Sequence, residues 1–160
     1  GEGVDITDIV QDVKIGKGRI IKRGKDLAIL ALGTRVGSAL KVADNLLQDN
    51  LKITVADARF AKPIDTELLE KLWNEHQKLI IIEEGSAGGF SSHCLHFLSS
   101  KDLINKHDKE IKCLTMPDNF QDHASQNEQL AKAGLDTDGL MKVVAKMISM
   151  SVTKNKSIAN

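Results

Sequence analysis

Apolar and polar positions divide this chain into short buried strands and amphipathic helices. Residues 27–32 (LAILAL) and 79–82 (LIII) are unbroken apolar runs bounded by charge or glycine, the pattern of strands covered on both faces. Residues 52–56 (KITVA) and 111–114 (IKCL) add two further strands, and residues 19–23 (RIIKR) a short one with basic ends. Gly24-Lys25-Asp26 is a turn signal, so residues 19–23 and 27–32 are expected to form an antiparallel hairpin. Helical stripes lie between the runs: Val36, Ala39, Leu40, Ala43, Leu46 and Leu47, then Leu68, Leu69, Leu72 and Trp73. Further stripes are Phe90, Cys94, Phe97 and Leu98, and Leu140, Val143, Val144, Met147 and Ile148. Thr34 and Asp65 are candidate caps for the first two helices, and Asp136 or Thr137 for the last. Residues 125–132 read as a short helix stopped by Gly134.

Strand and helix in alternation predict a three-layer α/β/α domain around a mostly parallel five-stranded sheet with one antiparallel edge strand. Residues 1–17 form a lead-in, in which Val4, Ile6, Ile9, Val10 and Val13 suit a loose edge element, and 18–150 form the domain. Residues 151–160, rich in Ser, Lys and Asn, are expected to be a flexible tail.

The stretch with the most to say is 78–98, KLIIIEEGSAGGFSSHCLHFL. It reads as a buried strand, an acidic elbow with Gly85, Gly88 and Gly89, and a helix packed back on the sheet. Polar groups at the carboxyl end of a parallel strand stand where open α/β sheets place ligands or partners. Glu83 and Glu84 therefore either face a partner or merely cap and solvate that edge, and on an extended chain they point to opposite sides. Asp57 and Arg59 follow the 52–56 strand and, by the same alternation, are expected to project from one side. Phe120 is expected to anchor the loop that follows the last strand.

Composition narrows the function classes. There are 22 basic and 22 acidic residues, and aromatics are 3%, so neither a polyanion-binding surface nor base-stacking platforms are indicated. No apolar run is long enough to span a membrane, so no membrane partner is expected. Cys94 and Cys113, flanked by apolar residues, read as free thiols of a reducing, cytoplasmic compartment. His93 and His96 have the spacing to share an ion but lack a carboxylate beside them, and His76, His107 and His123 stand alone. No nucleophile elbow or phosphate-cradling loop is present, and Gly16-Lys17-Gly18 lacks the third glycine of a dinucleotide fingerprint and reads as a turn. Gly33 before a helix offers a weak anion cradle. A catalytic site of the chain's own is not visible.

Several segments together carry a resemblance. Residues 24–30 (GKDLAIL) with Gly33, residues 55–65 (VADARFAKPID) and residues 80–92 (IIIEEGSAGGFSS) resemble the C-terminal domain of transketolase-like enzymes. Residues 114–118 (LTMPD), Phe120 and residues 133–136 (AGLD) are most similar to the 1-deoxy-D-xylulose-5-phosphate synthase branch. Residues 121–125 (QDHAS) depart from that branch, which carries a glycine there. The resemblance implies a parent enzyme that condenses pyruvate with glyceraldehyde 3-phosphate and loses CO2, supplying isoprenoid, thiamine and pyridoxal synthesis. It implies thiamine diphosphate and Mg2+ held by other domains, a homodimer, and no catalytic, cofactor or metal residue in this chain. Asp57, Arg59, Lys62, Asp65, Glu83 and Glu84 are then candidates for the edge that meets a neighbouring domain or subunit, with Arg59 paired to Glu83 or Glu84. Two alternatives stay open: the closing domain of a 2-oxoacid dehydrogenase beta subunit, and an independent anion-binding α/β domain.

Overall fold

The computed structural model describes residues 12–105 and 108–157. Val4, Ile6, Ile9, Val10, His107 and residues 158–160 lie outside the described residues. The strands are β1 (Arg19–Lys22), β2 (Leu27–Ala31), β3 (Ile53–Asp57), β4 (Lys78–Ser86) and β5 (Glu110–Met116). The helices are α1 (Arg35–Leu47), α2 (Thr66–Glu75), α3 (Phe90–Ser100), α4 (Gln126–Ala133) and α5 (Thr137–Ser157). The strands form one sheet in the order β1-β3-β2-β4-β5. All pairs are parallel except β1 with β3.

The antiparallel edge strand is present, but the expected hairpin is not. β3 lies between β1 and β2, and Arg19 stands opposite Asp57. Residues 24–26 do turn, yet they turn onto β3. The Lys25 and Asp26 amides donate to the Lys52 carbonyl at 3.0 and 3.1 Å, and the Asp26 carboxylate accepts from the Lys52 amide at 2.7 Å. Gly24 is required there, because a Cβ would stand 2.1 Å from the Lys52 carbonyl oxygen. A turn signal is local, whereas the choice of strand neighbour is made by the right-handed β2-α1-β3 crossover.

The strand residues divide their side chains between two cores, as period-2 alternation requires. Leu27, Ile29, Val55, Ile80 and Ile82 pack with α1 and α5, while Ala28, Leu30, Leu79, Ile81 and Ala56 pack with α2 and α3. The apolar stripe of each helix covers its own face: Ala39, Val42 and Ala43 from α1, Leu69, Leu72 and Trp73 from α2, Cys94 and Leu98 from α3, and Leu140 and Val144 from α5. His76 is not solitary. Its ring is buried, Nδ1 donates to the Leu72 carbonyl at 3.0 Å, and Nε2 lies 2.9 Å from the Thr54 hydroxyl. The backbone of α5 is helical to Ser157, past the point where composition suggested a tail.

Several terminal signals act as the residue types dictate. Asp65 caps α2 by accepting from the Leu68 amide at 3.1 Å. Ser125 and Glu128 make a capping box on α4, and Gly134 ends that helix in the left-handed region at φ +69°. Asp136 accepts from the Gly139 amide at 2.8 Å at the start of α5. Thr34 differs: it precedes α1 but gives no side-chain cap, because its hydroxyl is taken elsewhere.

Candidate functional site: the carboxyl rim of the sheet

β2 leads to β3 on one side of it, whereas β4 lies on its other side and leads onward to β5. The connections leaving β2 and β4 therefore diverge, and the crevice between their carboxyl ends is the switch point where doubly wound sheets take ligands or partners. Thr34 and Arg35 line one wall of this crevice and Glu84, Gly85 and Ser86 the other.

Glu83 and Glu84 point to opposite sides, as their alternation predicts, and do different things. Glu83 is 4% exposed. One of its oxygens accepts from the Phe90 amide at 3.0 Å and the other from the Ser91 amide at 2.7 Å. The N-cap of α3 is Gly89, which has no side chain to offer, so an acid from the preceding strand supplies the cap and meets the positive end of the helix dipole. The spacing of the elbow follows from this. A Cβ on Gly85 or on Gly89 would stand 2.6 Å from the Glu83 Oε2. β4 and β5 lose register between Ile82 and Ser86, which frees these residues from the ladder to form the elbow.

Glu84 is partly exposed and faces the crevice. It accepts from the Thr34 hydroxyl and pairs with the Arg35 Nε at 3.0 Å. Arg35 is itself buried, and its Nη1 donates to the Leu135 carbonyl at 2.7 Å, joining α1, the end of β4 and the α4–α5 connection. Sequence reading passed over Arg35. Its signal was a cation in the first turn of a helix with no acid there to balance it, against the helix dipole.

The second half of the rim lies at the end of β3. Asp57 accepts from the Arg59 amide at 3.0 Å, and its other oxygen is 3.4 Å from the Arg19 Nε and 3.9 Å from the Arg59 Nε. Arg59 is not in extended backbone. Its φ is +59°, and the Phe60 amide turns back to the Ala58 carbonyl at 2.6 Å. Asp57 and Arg59 thus meet because the chain curls into a γ-turn, not because they alternate along a strand. Arg59 pairs with Asp57, and neither Glu83 nor Glu84 is its partner. Asp65, besides capping α2, accepts from the Gly18 amide at 3.0 Å and lies 3.6 Å from the Lys17 Nζ, tying the lead-in to this edge. Lys62 is exposed next to Pro63.

Of the six predicted rim residues, Asp57 and Arg59 pair at the end of β3, Asp65 caps α2 and holds the lead-in, Lys62 is exposed between them in sequence, Glu84 sits at the switch point, and Glu83 supports the elbow from beneath. No reactive group emerges among them. Cys94 is held well above the ordinary thiol range, at about 12, chiefly by burial and also by Cys113 and Glu83. Cys113 is raised by burial, partly offset by a hydrogen bond to Ser91. Among the described residues no three His, Cys, Asp or Glu side chains converge as a metal site. An open cavity of about 440 Å³ beside α1 is lined by Thr34, Arg35, Ser38, Lys41, Asn127 and Asp136. Its arginine is already committed to Glu84 and Leu135, and its aspartate to Gly139. Phe120, expected as an anchor within the loop, is 96% exposed and packs on nothing in this lobe.

The profile of the transketolase C-terminal domain matches residues 16–140, and the chain belongs to that family. Among solved structures it is similar to a split-gene transketolase described as an inactive beta4 tetramer, with 28% identity and a TM-score of 0.74. That likeness covers 86% of this chain and 44% of the transketolase chain, so the present chain spans less than half of the protein it matches. No helix among the described residues is long and apolar enough to cross a membrane.

Proposed function

We propose that this chain is the C-terminal lobe of a 1-deoxy-D-xylulose-5-phosphate synthase, a thiamine-diphosphate-dependent transferase. The parent condenses pyruvate with glyceraldehyde 3-phosphate, with loss of CO2, to supply isoprenoid, thiamine and pyridoxal synthesis in the cytoplasm. The observation that carries the reading is the placement of two diagnostic segments, ARFAKPID and EEGSAGGF, on one edge of the sheet within a transketolase C-terminal domain. The LTMPD segment with Phe120 favours the synthase over a 2-oxoacid dehydrogenase beta subunit.

The lobe's part in this reading is structural. Its rim, with Asp57, Arg59, Lys62, Asp65 and Glu84 at the surface and Glu83 beneath, orders the edge that meets the neighbouring domain or the second subunit of a homodimer. In this reading the described residues of the lobe do not hold the cofactor. Each buried or half-buried rim carboxylate is committed to an amide or a cation, and no donor cluster for Mg2+ exists among the described residues. The diphosphate and its metal are held by the domains that precede it.

The test is enzymatic. The protein from the whole reading frame is expected to form 1-deoxy-D-xylulose 5-phosphate from pyruvate and glyceraldehyde 3-phosphate, and the 160-residue chain alone to form none. A parent that turns over pyruvate only with a lipoyl acceptor replaces the synthase reading with the dehydrogenase one. Turnover by the isolated chain overturns the supporting role.

A further inference from the structure

A phenylalanine left almost wholly in water stands at one end of the rim. Phe120 is 96% exposed on the loop that follows β5, at the carboxyl edge of the sheet. The loop holds it there. The Gln121 side chain reaches back across Phe120 to the Asn119 carbonyl at 3.1 Å and to the Asn119 side chain, and the Gln129 side-chain Nε2 donates to the Asp122 carbonyl at 3.2 Å. An aromatic ring presented by a loop with its own hydrogen bonds loses little freedom when it is covered, which is how interface anchors are built.

The other end of the rim is also apolar. Val13 and Ile15 are 52% and 78% exposed in the segment leading to β1. β1 begins opposite Asp57, the last residue of β3, so this segment too lies at the carboxyl edge. β1 and β5 are the two edge strands, about 19 Å apart across the sheet, so the two apolar ends flank the rim. Most charges between them are paired within the lobe: Arg19 and Arg59 share Asp57, Lys17 pairs with Asp65 and Glu67, and Arg35 with Glu84, while Lys62 is exposed. A rim with apolar ends and mostly paired charges can be covered by a protein face with few ions stranded, and it carries no cluster of unpaired cations for a polyanion or an anionic membrane.

The path of the chain selects the occupant. Residues 12–18 come onto the sheet at this edge, with Gly18 beside Asp65 and the next residue, Arg19, opposite Asp57. In the transketolase chain this one resembles, more than half of the length has no counterpart here. We propose that Phe120, with Val13 and Ile15 across the rim, is the apolar anchor by which this lobe docks on the domain preceding it in the parent chain. The inference rests on the C-terminal-lobe reading above.

The experiment uses the preceding domain, encoded upstream in the same frame, as a separate polypeptide, and measures its affinity for the 160-residue chain by calorimetry. F120A is expected to weaken binding at least tenfold, and I15S to weaken it further, while the thermal midpoint of each variant stays within about a degree of wild type. Binding of F120A equal to wild type overturns the anchor and leaves the lobe reading intact. A wild-type chain that does not bind the preceding domain overturns both. Loss of self-association in F120A, with domain binding unchanged, overturns the choice of partner in favour of a second copy of the chain.

Discussion

At the scale of single residues, Glu83 stands in for the cap side chain that Gly89 lacks. Its two oxygens satisfy two amides at the start of α3, and these bonds are charge-assisted and out of water. E83A leaves both amides short of a partner and is expected to cost about 2 kcal/mol. For a domain of this size that lowers the melting temperature by roughly 4–8 °C, measurable by circular dichroism; an E83A chain that melts with wild type removes the cap's energetic role. Cys94 supplies a second test. Burial holds its thiol near 12, above the value near 9.0 it regains on unfolding. The native state therefore keeps a proton that the unfolded state gives up, so this contribution to stability is whole below pH 9 and is lost as pH rises toward 12. The native thiol is expected to resist a disulfide reagent at pH 8 and to react on unfolding, and rapid labelling of the folded chain contradicts that burial. Glu83 as an acid at the carboxyl end of a strand was legible in the sequence. Its role was not, because two amides seven and eight residues ahead come within reach only when the elbow closes.

At the scale of elements, glycine placement separates two physical effects. Gly134 ends α4 at φ +69°, and a Cβ there meets nothing within 4 Å. G134A is expected to cost only the left-handed penalty, about 1 kcal/mol. Gly89 has no positive φ, but a Cβ would stand 2.6 Å from Glu83 Oε2 and press on the buried carboxylate. G89A is therefore expected to destabilise more than G134A in urea unfolding; the reverse order contradicts the packing of the elbow. Four of the helices were announced by their apolar stripes and the caps Asp65 and Asp136 by their residue types, since caps act within one turn, whereas Ser125 was read as the first residue of its helix and is its cap. β1 was recognised as an edge strand but assigned the wrong neighbour, because the Gly24-Lys25-Asp26 turn is equally compatible with folding onto β2 or onto an inserted β3. The curl at Arg59 escaped altogether, as a left-handed arginine follows no propensity and is held by Asp57 and the Ala58 carbonyl.

At the scale of the whole molecule, the lobe has two complete cores and a rim without a reactive centre. The isolated chain is accordingly expected to show no calorimetric heat with thiamine diphosphate or a sugar phosphate, because Arg35 and the rim carboxylates are already satisfied by partners of their own. Micromolar binding of either compound makes the lobe an independent anion-binding domain instead. The same pairing of charge fits the proposed docking through the two apolar ends rather than through the ion pairs. Surface ion pairs contribute little on their own.

Periodicity along the chain was enough to establish an α/β sandwich with a mostly parallel sheet, since burial of alternate or every third-to-fourth residue is a property of each segment alone. It was enough also to point to the carboxyl edge, because that edge is where the strands end and the polar residues begin. Folding in three dimensions decided which strand lies beside β1, that Glu83 turns inward while Glu84 turns to Arg35, and that Phe120 faces water. Those outcomes depend on groups brought together from distant parts of the chain, where hydrogen bonds and excluded volume choose among partners that the local pattern leaves equivalent.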